Sequence, residues 1–212
     1  MPSIDFRLYL VTDRHQTQGR PLLSVLARFI DAGGTAIQVR ERDLNTGQLM
    51  ALLQDVQCLA RSARMTVFIN DRVDLAAAMN TDGVHLRETS LPVPAVRDVV
   101  GSSHLIGVSA HSIDGVVQAE CQGADFVVLG PIYETPSKRG YGQPLGLAML
   151  EEACHRVNIP VFAIGGISIA RAREVRSAGA FGVAVISAIL AAADVAVATH
   201  EMLNAVAETT TR

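Results

Sequence analysis

Val161-Phe-Ala-Ile-Gly-Gly-Ile-Ser-Ile-Ala-Arg-Ala-Arg-Glu-Val-Arg-Ser-Ala-Gly-Ala-Phe-Gly-Val-Ala-Val-Ile186 carries one full repeat of the organisation of this chain. Val161-Phe-Ala-Ile164 is apolar without alternation, the pattern of a parallel strand covered on both faces. The Gly165-Gly166 pair turns the chain, and Ile169, Ala172, Val175 and Ala178 then recur at helical spacing. Ala178-Gly179 ends that helix with a residue suited to the left-handed cap, and Gly182-Val-Ala-Val-Ile186 is the next strand.

The same alternation extends in both directions. Further strand candidates are Leu8–Thr12, Ala36–Arg40, Val67–Asn70, Gly83–Leu86, Leu105–Ser109 and Phe126–Leu129, which with the two above makes eight. Leu49, Leu52, Leu53, Val56 and Leu59 mark an amphipathic helix, and Ala32-Gly33 closes another before the second strand. Eight βα units in 212 residues predict an α/β protein, a single (β/α)8 TIM barrel over residues 1–212 whose tail at 208–212 frays. A doubly wound open sheet shows the same alternation and is the competing architecture.

Composition excludes several classes of function. With 49% apolar residues the chain can bury a sizeable core, and no linker divides it. A net charge of −3 without clustered basic residues argues against a nucleic-acid partner. Cys58, Cys121 and Cys154 are too dispersed for a disulfide framework or a metal knot, and Met1–Arg7 lacks an export signal, so a cytoplasmic location is expected. In the apolar run Phe181–Ala198, Asp194 would cost about 2.5–3.5 kcal/mol at the centre of a bilayer, and the run splits into a strand and a helix, so no membrane partner is expected. A homodimer would have to pair through the outer helices.

The polar residues that interrupt the pattern cluster at strand ends: Asp13, Gln38, Arg40, Asn70, Asp71, His85, Ser109 and His111. In a barrel these ends form one face, the one that carries active sites. Gly165, Gly166 and the Val185-Ile-Ser-Ala188 segment follow strands seven and eight, the usual phosphate site of barrels. Gln38 and Arg40 project to one side of their strand. An interior arginine requires an anionic ligand, or a structural partner such as Glu41 or Asp71. Asp71 is either a hard ligand for Mg²⁺ or the cap of the next helix. His111 can move protons near neutral pH or be a plain surface residue, whereas His85 reads as a hydrogen-bonded core histidine. The long loop Gly130–Gly146 gathers Thr135, Ser137, Lys138 and Arg139, an anion-holding set placed to act as a lid.

The chain resembles the thiamin phosphate synthase/TenI superfamily of barrels. The resemblance rests on Leu8-Tyr-Leu-Val-Thr-Asp13, Gln38-Val-Arg-Glu-Arg42, Asn70-Asp-Arg-Val-Asp74, Asp82-Gly-Val-His-Leu86, Gly107-Val-Ser-Ala-His111, Gly123-Ala-Asp125, Gly130-Pro-Ile-Tyr133, Ala163-Ile-Gly-Gly-Ile167 and Gly182-Val-Ala-Val-Ile-Ser187. It implies a thiazole phosphate as small-molecule substrate, with its phosphate on Gly165, Gly166, Ile186 and Ser187. Gln38, Arg40, Asn70, Ser109, Thr135, Ser137 and Lys138 would line the rest of the site.

Two activities occur in this superfamily. Synthases join a hydroxymethylpyrimidine diphosphate to a thiazole phosphate with Mg²⁺, which Asp71 would hold here. TenI-type tautomerases aromatise a carboxythiazole phosphate without a cofactor, and His111 matches their proton carrier. This chain has Arg42 where synthases have a lysine, and Ser90 where they place a second metal carboxylate. Glu88 and Asp74 are the nearby acids that could replace it. These departures favour the tautomerase, with the synthase as the alternative and a non-catalytic phosphate-binding regulatory barrel as a third reading.

Overall fold

The computed structural model describes residues 4–61, 63, 65–135 and 143–207; Ser137, Lys138, Arg139 and the tail at 208–212 lie outside the described residues. Strands β1 (Leu8–Val11), β2 (Ala36–Val39), β3 (Thr66–Asn70), β4 (Gly83–Leu86), β5 (Leu105–Ala110), β6 (Phe126–Leu129), β7 (Val161–Ile164) and β8 (Gly182–Val185) pair in chain order, all parallel. β8 closes onto β1 through Tyr9 opposite Ala184, so the sheet is a barrel and not an open one. Helices α1 (Leu22–Asp31), α2 (Thr46–Ala60), α3 (Val73–Met79), α4 (Val93–Val100), α5 (Ile113–Cys121), α6 (Gly146–Arg156), α7 (Ile169–Ser177), α8 (Ser187–Leu190) and α9 (Val195–Ala207), with a short 3-10 turn at Arg14–Gln16, complete the described elements. The apolar run from Phe181 divides among β8, α8 and the start of α9, and no described helix is long and apolar enough to cross a membrane.

Each strand buries both faces, which is why the runs lack alternation. Leu8 and Leu10 of β1, Val127 and Leu129 of β6, and Val183 and Val185 of β8 face the helices. Tyr9 and Val11, Phe126 and Val128, and Ala184 belong instead to a separate interior cluster with Phe6, Phe68 and Phe162. Two motif acids serve the opposite end of the barrel from the mouth. Asp82 accepts from Val67 N–H at 2.8 Å, and Asp125 accepts from Ile106 N–H at 2.6 Å, each tying a strand start to its neighbour.

The interior is filled by a register rule. Phe68 pairs with Gly83, Phe126 with Gly107 and Phe162 with Gly182. A Cβ at any of these glycines would overlap the ring of its paired phenylalanine. The rings meet mainly edge to face, with centroids 5.4 Å apart for Phe68–Phe126 and 5.5 Å for Phe126–Phe162.

A buried polar chain runs beside these rings. Gln38 Nε2 donates to Tyr9 Oη at 3.2 Å, Tyr9 Oη lies 3.4 Å from His85 Nδ1, and His85 Nε2 lies 3.0 Å from Ser109 Oγ. His85 is therefore the hydrogen-bonded core histidine its position suggests. Burial, with the nearby Arg40 charge adding to it, pushes the imidazole down to about 3. Burial also raises the Tyr9 hydroxyl well above its ordinary value, so both groups stay neutral.

Two outcomes follow from this interior. Gly107→Ala destabilises the protein by about 2–3 kcal/mol in urea denaturation, and pairing it with Phe126→Leu recovers part of the loss. Strict additivity of the two substitutions would contradict the register rule. His85 is protonated in the unfolded chain below its ordinary value of 6.5, but in the fold only near 3. Its contribution is complete above about pH 6.5 and is lost as pH falls toward 3, at no more than about 1.4 kcal/mol per pH unit. The slope of stability against pH across that window should flatten in His85→Gln; an unchanged slope would show that His85 does not supply it.

Candidate active site

Among the described residues, cavities open at the C-terminal ends of the strands; one of about 170 Å³, after β4 and β5, is lined by Arg87, Glu88, Ser90 and Ser109 among others. Two others differ sharply in lining. The larger, of about 200 Å³, lies at the ends of β2, β3 and β4 and is lined by Arg40, Arg42, Asn70, Asp71, Arg72 and Arg87. The Arg40 backbone is fixed at the end of β2 by its N–H donating to Thr12 Oγ1 at 2.9 Å. Asp71 follows β3 in a left-handed conformation, φ 60°, with its N–H on the His85 carbonyl at 2.9 Å. That geometry turns its carboxylate across the mouth to β4, where the Ser90 hydroxyl and the Arg87 guanidinium meet it. Asp71 therefore does not cap α3, whose N-cap position is Arg72 and has no side-chain cap.

The neighbouring acids already have partners. Glu41 is buried and accepts from the Arg14 backbone and guanidinium at 3.1–3.2 Å. Asp74 pairs with Arg72 at 2.8 and 2.5 Å, which holds its carboxyl below the usual range. Glu88 lies 2.8 Å from His111 Nδ1. The two candidates for a second carboxylate, Glu88 and Asp74, are thus paired with His111 and Arg72, and the side chain that meets Asp71 from the candidate position is the Ser90 hydroxyl. Among the described residues, no group of three or more His, Cys, Asp or Glu side chains converges on a metal position. One carboxylate with a hydroxyl beside it still suits Mg²⁺, which commonly takes only one or two protein carboxylates and completes its shell from substrate phosphates and water.

The smaller cavity, of about 100 Å³, lies beyond β6, β7 and β8 and is lined by Gln16, Thr135, Gly165, Gly166, Ile186 and Ser187 among others. Gly165 and Gly166 have φ of +98° and +66°, and a Cβ on Gly165 would stand 2.6 Å from Pro131. Here glycine is demanded by both conformation and space, because the base of the β6 loop presses against the turn. That base is also pinned at its far side, with Leu145 N–H on Pro131 O at 2.9 Å and Gly146 N–H on Ile132 O at 3.1 Å.

The structure thus brings Arg40, Asn70 and Asp71 to one cavity, and Thr135, Gly165, Gly166, Ile186 and Ser187 to the other. Gln38 is buried with its amide nitrogen on Tyr9, and Ser109 sits half-buried at the end of the polar chain. His111 is exposed, paired with Glu88, and lines none of these three cavities. Sequence reasoning did not single out Tyr9, Arg87 or Gln16. Tyr9 shares the inward side of β1 with Val11, and Arg87 follows β4 directly, so period-two counting carried one residue further would have brought both into view.

The model of the thiamine monophosphate synthase family matches residues 8–189. A chain of Geobacter sulfurreducens, provisionally named a thiamine-phosphate synthase, is 46% identical over 92% of this chain and 91% of its own length. The thiamine-phosphate synthase of Moorella thermoacetica is 41% identical and covers 97% of each chain. The solved structure of a thiamine phosphate pyrophosphorylase from Pyrococcus furiosus superposes with a TM-score of 0.87 at 34% identity, covering 97% of each chain. With these matches spanning nearly all of its length, the chain belongs to the thiamine monophosphate synthase family.

Proposed function

We propose that the protein is a thiamine-phosphate synthase, joining hydroxymethylpyrimidine diphosphate to a thiazole phosphate and releasing diphosphate. The observation that carries this reading is the contrast between two cavities at one mouth, one lined by arginines and one by glycine backbone. A joining reaction brings together a diphosphate and a monophosphate, and the arginine-lined and glycine-lined cavities match that division. The synthase names of the relatives support it, and none of the three relatives described above is named a tautomerase.

In this reading the thiazole phosphate takes the Gly165, Gly166, Ile186 and Ser187 cavity, with Thr135 at its edge. Arg40, Arg42 and Arg87 hold the diphosphate as the thiazole ring nitrogen bonds to the carbon it leaves. Mg²⁺ held by Asp71 would neutralise charge on the departing diphosphate. Ser109, accepting from or donating to the neutral His85, offers a polar contact to the heterocycles. The purified protein should form thiamine phosphate from the two substrates and Mg²⁺, and a chelator should stop it. Asp71→Asn should lower the rate on the order of 100-fold. A rate unaffected by both chelator and Asp71→Asn would sink the metal assignment, and no product at all would sink the synthase reading.

A second reading, the tautomerase, draws on a specific observation. Asp71 already has Arg87 and Ser90 on its carboxylate, where a metal would compete for it. That reading predicts metal-independent aromatisation of a carboxythiazole phosphate, lost in His111→Ala and unaffected by Asp71→Asn. Measuring product formation by absorbance in the presence of chelator separates the two.

A further inference from the structure

The turn after β7 offers three successive carbonyl groups, and each is taken by a donor from outside the smaller cavity. Ile132 N–H donates to Ile164 O at 2.9 Å, Tyr133 N–H to Gly165 O at 3.1 Å, and Arg171 Nη1 to Gly166 O at 2.8 Å. In a planar trans peptide the C=O and the following N–H point to opposite sides. Fixing those carbonyls therefore turns the N–H groups of Gly165, Gly166 and Ile167 away from the β6 loop and from α7. All three of these residues line the cavity. Among the described residues, no backbone carbonyl takes the Gly166 or Ile167 N–H.

Two of the three donors are backbone groups, and the third is the Arg171 side chain. Arg171 lies in the first turn of α7, its N–H on the N-cap Ser168 hydroxyl at 3.3 Å. Its guanidinium stacks over the Tyr133 ring at 4.4 Å, and the Tyr133 hydroxyl donates to Glu174 at 2.6 Å. Arg171 and Glu174 are three residues apart on one helix face, so one covers a face of the ring while the other grips its hydroxyl. The grip leaves no slack, because a Cβ on Gly166 would stand 2.9 Å from Tyr133 Cβ and 2.7 Å from Glu134 O. Neither Arg171 nor Tyr133 lines the cavity.

We propose that Arg171 and Tyr133 are positioning residues that aim the Gly165–Ile167 N–H groups at a phosphate ester in the cavity without touching it. The proposal rests on the phosphate assignment made above. Arg171 acts in two ways: it holds the Gly166 carbonyl on the far side of the turn, and its charge there polarises the peptide so that the N–H side favours an anion. Tyr133 carries the restraint to the β6 loop, so that the loop base, the turn and α7 move as one body.

Calorimetric binding of thiazole phosphate, compared with the phosphate-free thiazole alcohol, tests the proposal. Arg171→Met should weaken the phosphate ester about tenfold and leave the alcohol unchanged. Tyr133→Phe, which keeps the stack and loses the bond to Glu174, should weaken it by a smaller factor. Gly166→Ala serves as the reference for the cavity itself. If Gly166→Ala weakens the ester while Arg171→Met does not, the positioning role is wrong and the phosphate site stands. If neither variant affects the ester, the phosphate assignment fails and the proposal with it. Equal losses for ester and alcohol in Arg171→Met would reduce its role to general structure and overturn the proposal. Should Arg171→Met not fold, Arg171→Lys, which cannot stack and donate from one planar fork, is read against the same outcomes.

Discussion

Three phenylalanines inside the barrel occupy space that three glycines on adjacent strands leave empty. Phe68 opposite Gly83, Phe126 opposite Gly107 and Phe162 opposite Gly182 are fixed by strand register, so the rings fit only if every one of those pairings is correct. A one-residue slip would turn each ring to the helices and each glycine away from its partner. The site depends on this packing. Tyr9 contacts Phe68 and Phe126 with centroids 5.2 and 5.6 Å away, and through it the buried chain from Gln38 to His85 and Ser109 is held in place. Neutral, buried and hydrogen-bonded, that chain is a rigid floor for the mouth above it.

The charged residues of the mouth divide the work by strand. The ends of β2, β3 and β4 bring four arginines to a cavity in which Asp71 is the acid facing across to β4. The turns after β7 and β8 bring backbone amides instead, with little side-chain charge in the lining. A diphosphate carries more charge than a monoester, and the proposed placing of the two substrates follows that distribution of arginines. In this chain Arg87 and Ser90 meet Asp71 where the resemblance places a second carboxylate in synthases, which puts a guanidinium beside the acid proposed to hold a metal.

The fold was legible because both strand faces are buried and the runs are short and largely apolar, several of them flanked by glycine. Strand ends moved by a residue at most, as at Thr66 and Ala110, where pairing with a neighbour, rather than side-chain pattern, sets the limit. The glycine turn was legible too, since Gly165 and Gly166, directly after the seventh strand, adopt the positive φ that glycine takes most readily. Partner choice was not. The carboxylate of Asp71 turns toward β4 because its backbone is left-handed, and nothing in Asn70-Asp71-Arg72 announces that. The same limit applies to His111, whose pairing with Glu88 joins two loops far apart in sequence. The departures at Arg42 and Ser90 favour a tautomerase as isolated positions, whereas the contrast between the arginine-lined and glycine-lined cavities and the names of the relatives favour a synthase.

In the proposed reaction one mouth holds two anions side by side. Calorimetric titration of thiazole phosphate into protein already saturated with inorganic diphosphate and Mg²⁺ addresses it directly. The predicted result is one-to-one binding with no loss of affinity relative to the free protein. Displacement of diphosphate by thiazole phosphate, with the two ligands mutually exclusive, would contradict it.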